Sequence, residues 1–180
     1  MIKNYKLGKI LYKIMKYVER NTDADLSEVF LHEEKYFSFN LMAKDITFTE
    51  ISGDNHRDFI QYIDEYLENK FNLPSYKTMY NYGVEVFALL HEIGHIMNID
   101  NPATRMLPYV YQEATKKGLI GNENNSPYEN FINYRSFEGE QLADKFAADF
   151  INEHYIDLCK IACDIDNDKE AEEQLLVWLN

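Results

Sequence analysis

Residues 89–97 read LLHEIGHIM, which sets two histidines and a glutamate inside a run that otherwise has the composition of a protein interior. Burying ionisable side chains is costly unless a partner compensates them. On a helix advancing about 100° per residue, His91 and His95 lie roughly 40° apart and one turn apart, so both imidazoles can reach one ion. Glu92 falls roughly 60° from His95 on the same side, beside such an ion and not opposed to it, where a carboxylate can take a proton from water. The spacing is HExxH, and zinc is the metal this chemistry favours. Gly94 sits inside the same helical run although it costs ~1 kcal/mol relative to Ala; close approach of another backbone or of the metal would explain it. The competing reading is a pair of hydrogen-bonded core histidines with an incidental glutamate.

The surrounding pattern fixes the element. From about residue 80 to 98, Val84, Val86, Phe87, Leu89, Leu90, Ile93, Ile96 and Met97 surround the helix axis, which marks a helix buried on nearly all sides. A catalytic zinc needs three protein ligands and one open position. The best downstream source is FEGEQLADKFAADFI, residues 137–151, in a helix expected over about 136–155. Ala143, Phe146, Ala147, Phe150 and Ile151 form its apolar stripe, and Glu140 falls within roughly 50° of the stripe centre, so Glu140 is the expected third ligand. Asp144, one turn on, flanks the same stripe, where it can accept a hydrogen bond from a ligand imidazole and fix its tautomer. Glu138 and Asp149 project away and read as solvated charges. Ordinary helix-edge carboxylates are the plain alternative for Glu140 and Asp144.

Outward from these two helices, YFSFNLM (36–42) and ITFTEI (46–51) alternate around Ala43, Lys44 and Asp45 and predict a β-hairpin. ITFTEI is either a structural strand or a sheet edge on which an extended peptide adds. Residues 56–71 have helical spacing and end near Asn72, ahead of Pro74. A shorter helical segment follows 98–102 to about Lys117, the run 118–130 reads as a loop, and a last helix is expected over 168–179. DIDND (164–168) opens like a calcium loop but has Lys169 where Gly is needed and Leu175 where Glu is needed, so helix capping is the better account.

At 180 residues the chain is expected to form a single domain over 1–180, mainly helical with a small antiparallel sheet, in the α+β class. The net charge of −13 argues against direct nucleic-acid binding. Charge is uneven: Lys3, Lys6, Lys9, Lys13, Lys16 and Arg20 against the single acid Glu19 give residues 1–20 a charge of +5, leaving −18 over the remainder. Leu7, Ile10, Leu11, Ile14 and Val18 fall at helical spacing there, so an amphipathic helix over 3–20 docked on the chain's own acidic body is preferred to a membrane-surface segment. No apolar run is long enough to span a bilayer, no signal-peptide core is present, and a cytoplasmic protein is expected. Cys159 and Cys163 form no disulfide framework and read as reduced packing residues. His32 and His56 lack ligand spacing and read as surface residues.

HEIGH followed by Glu140-x-x-Ala143-Asp144-x-Phe146-Ala147 resembles the ImmA/IrrE family of metallopeptidases, gluzincins in which an HExxH helix precedes a helix bearing that second pattern. The resemblance covers about residues 84–151. It implies a zincin-like metallopeptidase domain with His91, His95 and Glu140 on Zn2+, Glu92 as catalytic base and Asp144 in support. It also implies a protein or peptide substrate, such as a helix-turn-helix transcriptional repressor. Two features depart from the family: the 45-residue interval from His95 to Glu140, which implies an insertion over 100–135 that reshapes the cleft, and DFINEHY after Phe146-Ala147.

The expected reaction is peptide-bond hydrolysis, zinc activating water and carbonyl while Glu92 moves the proton. Oxyanion stabilisation is expected from a Tyr or His, with His154, Tyr134, Tyr128 and Tyr111 as candidates, His154 being awkward at nearly four turns beyond Glu140. The rival from another class is a non-catalytic zinc-containing regulatory module that acts by binding a partner protein, and a base beside the ion is what separates the two.

Overall fold

The computed structural model describes residues 5–34, 38–40, 45–49, 57–77 and 82–163. Helix α1 (Tyr5–Asn21) buries Leu7, Ile10, Leu11, Ile14 and Val18, the stripe that its spacing predicts, and adds Met15 to it. Lys16 and Glu19 pair across one turn at 2.8 Å on its outer side.

Three short strands follow: β1 (Phe30–Glu33), β2 (Ser38–Asn40) and β3 (Asp45–Phe48). β2 and β3 are antiparallel, with Phe39 opposite Ile46, as the alternating sequence predicts. The expected purely antiparallel sheet is nevertheless wrong, because β1 pairs with β3 in parallel and the order is β1-β3-β2. FLHE alternates only between exposed and half-buried positions, so nothing in its pattern announces a strand or its distant partner. A second correction follows, since β3, the central strand, cannot be the edge that accepts an added peptide. Ile46 and Phe48 turn one face of β3 into the core.

Helix α2 (Arg57–Phe71) ends where expected, at Asn72, which takes a left-handed φ of 51°. The buried helix is α3 (Gly83–Met97); eleven of its residues are buried, among them Glu85, His91 and Glu92, so its all-round apolar pattern is explained by enclosure. Tyr82 precedes it in the left-handed region at φ 58°. Helix α4 (Pro102–Lys116) starts at an N-cap, Asn101, whose side chain accepts from the Ala103 amide at 2.9 Å.

The loop expected over 118–130 is shorter than that, because α5 (Pro127–Arg135) begins inside it. Its start was legible as a capping box: Ser126 accepts from the Glu129 amide and the Glu129 carboxylate accepts from the Ser126 amide. Helix α6 (Glu138–Cys163) is longer than the expected 136–155 and is interrupted at His154, whose φ of −116° and ψ of 19° are not helical. The helix expected over 168–179, the DIDND run and His56 lie outside the described residues.

Tyr17 of α1 fastens the interruption. Its hydroxyl donates to Asp157 Oδ2 at 2.8 Å and contacts His154 Nδ1 at 3.1 Å, while its ring meets Phe150 and His154 edge-on. Tyr17→Phe removes a half-buried bond to a carboxylate and is expected to cost about 1–2 kcal/mol, a loss of several degrees in Tm by calorimetry. An unchanged Tm would mean that the apolar stripe of α1 alone sets its docking. Cys159 is buried and Cys163 half-buried, both free, and burial pushes the Cys159 thiol up to about 12.

Among the described residues, α3 packs most extensively against α6. The seam closes because Gly94 faces Ala143: a Cβ at 94 would stand 2.7 Å from both the Cα and the carbonyl oxygen of Ala143. The backbone of α6 therefore occupies the place of a side chain on α3.

Candidate metal centre

The Gly94–Ala143 contact sets the centre, since His91 and His95 flank Gly94 on α3 and Glu140 and Asp144 flank Ala143 on α6. His91 Nε2 faces His95 Nε2 at 3.1 Å and Glu140 Oε2 at 3.1 Å, and His95 Nε2 is 3.5 Å from Glu140 Oε1. Among the described residues, His91, His95 and Glu140 form the one group whose ligand atoms all lie within 4.8 Å of one another, and this group could hold a metal ion. Glu92 is not part of it and instead lines the adjoining cleft, 8 % exposed.

Chemistry supports the fit. Two imidazole nitrogens that point at each other and at a carboxylate need a cation or a proton between them. Glu140 Oε2 is buried, with the His91 Nε2 at 3.1 Å and the Arg135 Nη1 at 3.7 Å as its polar neighbours. Behind the group, Asp144 Oδ1 lies 2.8 Å from His91 Nδ1, an arrangement that orients the ring with Nε2 forward. Tyr111 donates to Glu140 Oε1 at 2.8 Å and fixes the carboxylate from the cleft side.

The electrostatics of the metal-free centre are polarised. Burial and the charge of His91 push His95 down to about 4, so it is neutral with a lone pair to offer. For His91, burial and Arg135 act to lower the pKa, but the Asp144 and Glu140 carboxylates outweigh both and hold it up at about 9. Burial works against ionisation of Glu140, yet His91, Arg135 and His95 bring it down to about 2. Without metal, a proton on His91 thus lies where the three groups converge. Below about pH 9 a metal must displace it, so affinity is expected to rise with pH up to that point. Titration calorimetry of metal uptake at pH 7 in buffers of different ionisation enthalpy should show release of about one proton; buffer-independent heat would contradict this.

A cleft of about 350 Å³ opens in front, lined among others by Ser38 of β2, Glu92 and His95 of α3, Leu107, Pro108 and Tyr111 of α4, and Tyr134 of α5. Residues 100–135 thus supply much of one wall. Of the four oxyanion candidates, Tyr111 and Tyr134 reach this cleft, their rings stacked 5.0 Å apart. Burial raises both hydroxyls well above the usual tyrosine range, so both remain donors. Tyr128 instead packs on Tyr62, and His154 on Phe150 and Tyr17. Glu138 is exposed, and Asp149 pairs with Lys145 at the surface. His32 is 57 % exposed, 3.8 Å from Asp45.

One residue of the centre escapes the sequence reading. Arg135, at the end of α5, places Nη1 2.7 Å from Asp144 Oδ1 and 3.7 Å from Glu140 Oε2. A signal existed, for Arg135 is the single basic residue between Lys117 and Lys145. No helix among the described residues is long and apolar enough to cross a membrane. Comparison with protein-family models, with curated proteins and with solved structures gave no significant match.

Proposed function

We propose that the chain is a zinc-dependent endopeptidase with a zincin-like domain, similar to the ImmA/IrrE metallopeptidases, acting on a regulatory protein such as a helix-turn-helix repressor. The observation that carries this reading is spacing. Bonds of about 2.0–2.1 Å at a tetrahedral angle put ligand atoms about 3.3 Å apart; the His91 and His95 Nε2 atoms are 3.1 Å apart, and the Glu140 carboxylate approaches His91 through Oε2 at 3.1 Å and His95 through Oε1 at 3.5 Å. Three protein ligands leave a position open, which is the catalytic and not the structural pattern. Glu92 beside that position favours an enzyme over a binding module.

Zinc, when held by His91, His95 and Glu140, supplies Lewis acidity toward water and toward the scissile carbonyl at neutral pH. Glu92, on the cleft wall, accepts the proton of the attacking water and delivers it to the amide nitrogen as the C–N bond breaks. Asp144 keeps His91 oriented through Nδ1. Tyr134 offers a hydroxyl donor to the oxyanion, a contribution of roughly 3–4 kcal/mol in comparable sites, while the Tyr111 hydroxyl is engaged by Glu140. β2 is an edge of the described sheet and reaches the cleft at Ser38, so it is the strand beside which an extended substrate would lie.

The deciding test incubates the zinc-loaded chain with candidate repressors and with a proteome-derived peptide library, read by mass spectrometry. Cleavage that disappears with a chelator and returns with zinc is the expected result. A chain that carries one zinc and cleaves nothing would favour the non-catalytic module.

A further inference from the structure

Two carboxylates share the floor of the centre, Glu140 at 1 % exposure and Asp144 at 0 %. Buried charge of this kind requires a counter-charge at close range. Arg135 provides it in the metal-free protein, with Nη1 2.7 Å from Asp144 Oδ1 and 3.7 Å from Glu140 Oε2. The same nitrogen stands 2.9 and 3.3 Å from Nδ1 and Nε2 of His91. Nδ1 already faces Asp144 and Nε2 faces His95 and Glu140, so these near-equal distances set the guanidinium alongside the ring and in line with neither lone pair. The guanidinium is also held by aromatic rings, its Cζ lying 5.6 Å from the Phe131 centroid and 5.4 Å from that of Tyr134.

A dication held by His91, His95 and Glu140 would lie within a few ångströms of this guanidinium. Each neutralises the same carboxylates, and each repels the other. Coulomb repulsion between a unit charge and a double charge at such a distance, even with strong dielectric screening, corresponds to orders of magnitude in a binding constant before relaxation. Relaxation has room to occur: Arg135 also lines a second cavity of about 260 Å³ with Tyr66, Lys70, Tyr128 and Gln141, none of which lines the cleft.

We infer that Arg135 is the internal counter-ion of the metal-free centre: it holds Glu140 and Asp144 in place when no dication is bound, and it opposes the dication that replaces it. This rests on the reading that His91, His95 and Glu140 take a dication. Arg135 is on this account a positioning residue, since it touches Asp144 and His91 and not the cleft. It makes the chain able to stay folded without metal at the expense of weaker metal binding.

The opposed effects give the test its force. In the full chain, Arg135→Gln is expected to lower the Tm measured in chelator and to tighten zinc and cobalt(II) binding by roughly tenfold or more in chelator competition. A merely structural arginine would, when replaced, weaken both. Arg135→Lys retains the charge and should bind zinc within a few-fold of wild type. Unchanged or weaker zinc binding in Arg135→Gln overturns the inference and leaves the metal centre standing. A wild-type chain that takes up neither zinc nor cobalt overturns it together with the reading beneath it. Should Arg135→Gln fail to fold without metal, its zinc-refolded form decides, slower transfer of zinc to a chelator than in wild type supporting the inference and equal or faster transfer overturning it.

Discussion

Glu92→Gln is expected to reduce peptide hydrolysis by about 10²- to 10⁴-fold in kcat while the protein still carries one zinc. The magnitude is that of a positioned general base. The substitution is nearly isosteric and removes the charge and with it the capacity to take a proton, and Glu92 does not belong to the His91, His95 and Glu140 group that could hold a metal ion. Its side chain lines the cleft and is 8 % exposed. Metal analysis and single-turnover assays on the same preparation separate the roles. Full activity with Gln at 92 would remove Glu92 from the reaction, and loss of zinc along with activity would make it a ligand.

Gly94→Ala is the substitution expected to damage the fold and the centre together. Alanine should favour an isolated helix by ~1 kcal/mol. Here its Cβ would stand 2.7 Å from the Ala143 Cα and carbonyl oxygen, and neither is an atom that can rotate aside. The only relief is to move α6 away from α3, at a net cost of about 1–3 kcal/mol. Because Glu140 lies one turn from Ala143, the same displacement draws the third ligand off the two imidazoles, and zinc affinity should fall about tenfold or more. Calorimetry and chelator competition should therefore change together. A variant with raised Tm and unaltered zinc affinity would show that the two helices have slack, and that the close fit is not what registers the ligands.

How much of this could be read from residue order depends on the range of the interaction. The α3 pattern was legible because eight apolar positions and HExxH obey a period of one helix, and Glu140 was legible because its own helix has an apolar stripe to measure it against. The β2–β3 hairpin was equally local. β1 was not legible: FLHE pairs in parallel with a strand twelve residues away and carries no alternation strong enough to announce it. The break at His154 was hidden for a similar reason, since its partner Tyr17 comes from a helix far away in the sequence. Arg135 shows the limit most plainly. Its neighbours Asp144, Glu140 and His91 are brought to it by tertiary packing from two other helices, and only the scarcity of positive charge from 118 to 144 hinted at it. The expected antiparallel sheet failed at a long-range pairing, whereas the loop over 118–130 failed on a local cue, the Ser126–Glu129 box, that its glycines and asparagines outweighed.

The interruption of α6 divides one long helix into two rods with separate moorings. The rod before residue 154 is registered by α3 through Ala143, and the polar grip of α1 falls at His154 and Asp157, on the break and past it. The ligand-bearing part of α6 is thus positioned chiefly by its neighbour α3, and the part beyond the break answers to a different polar anchor.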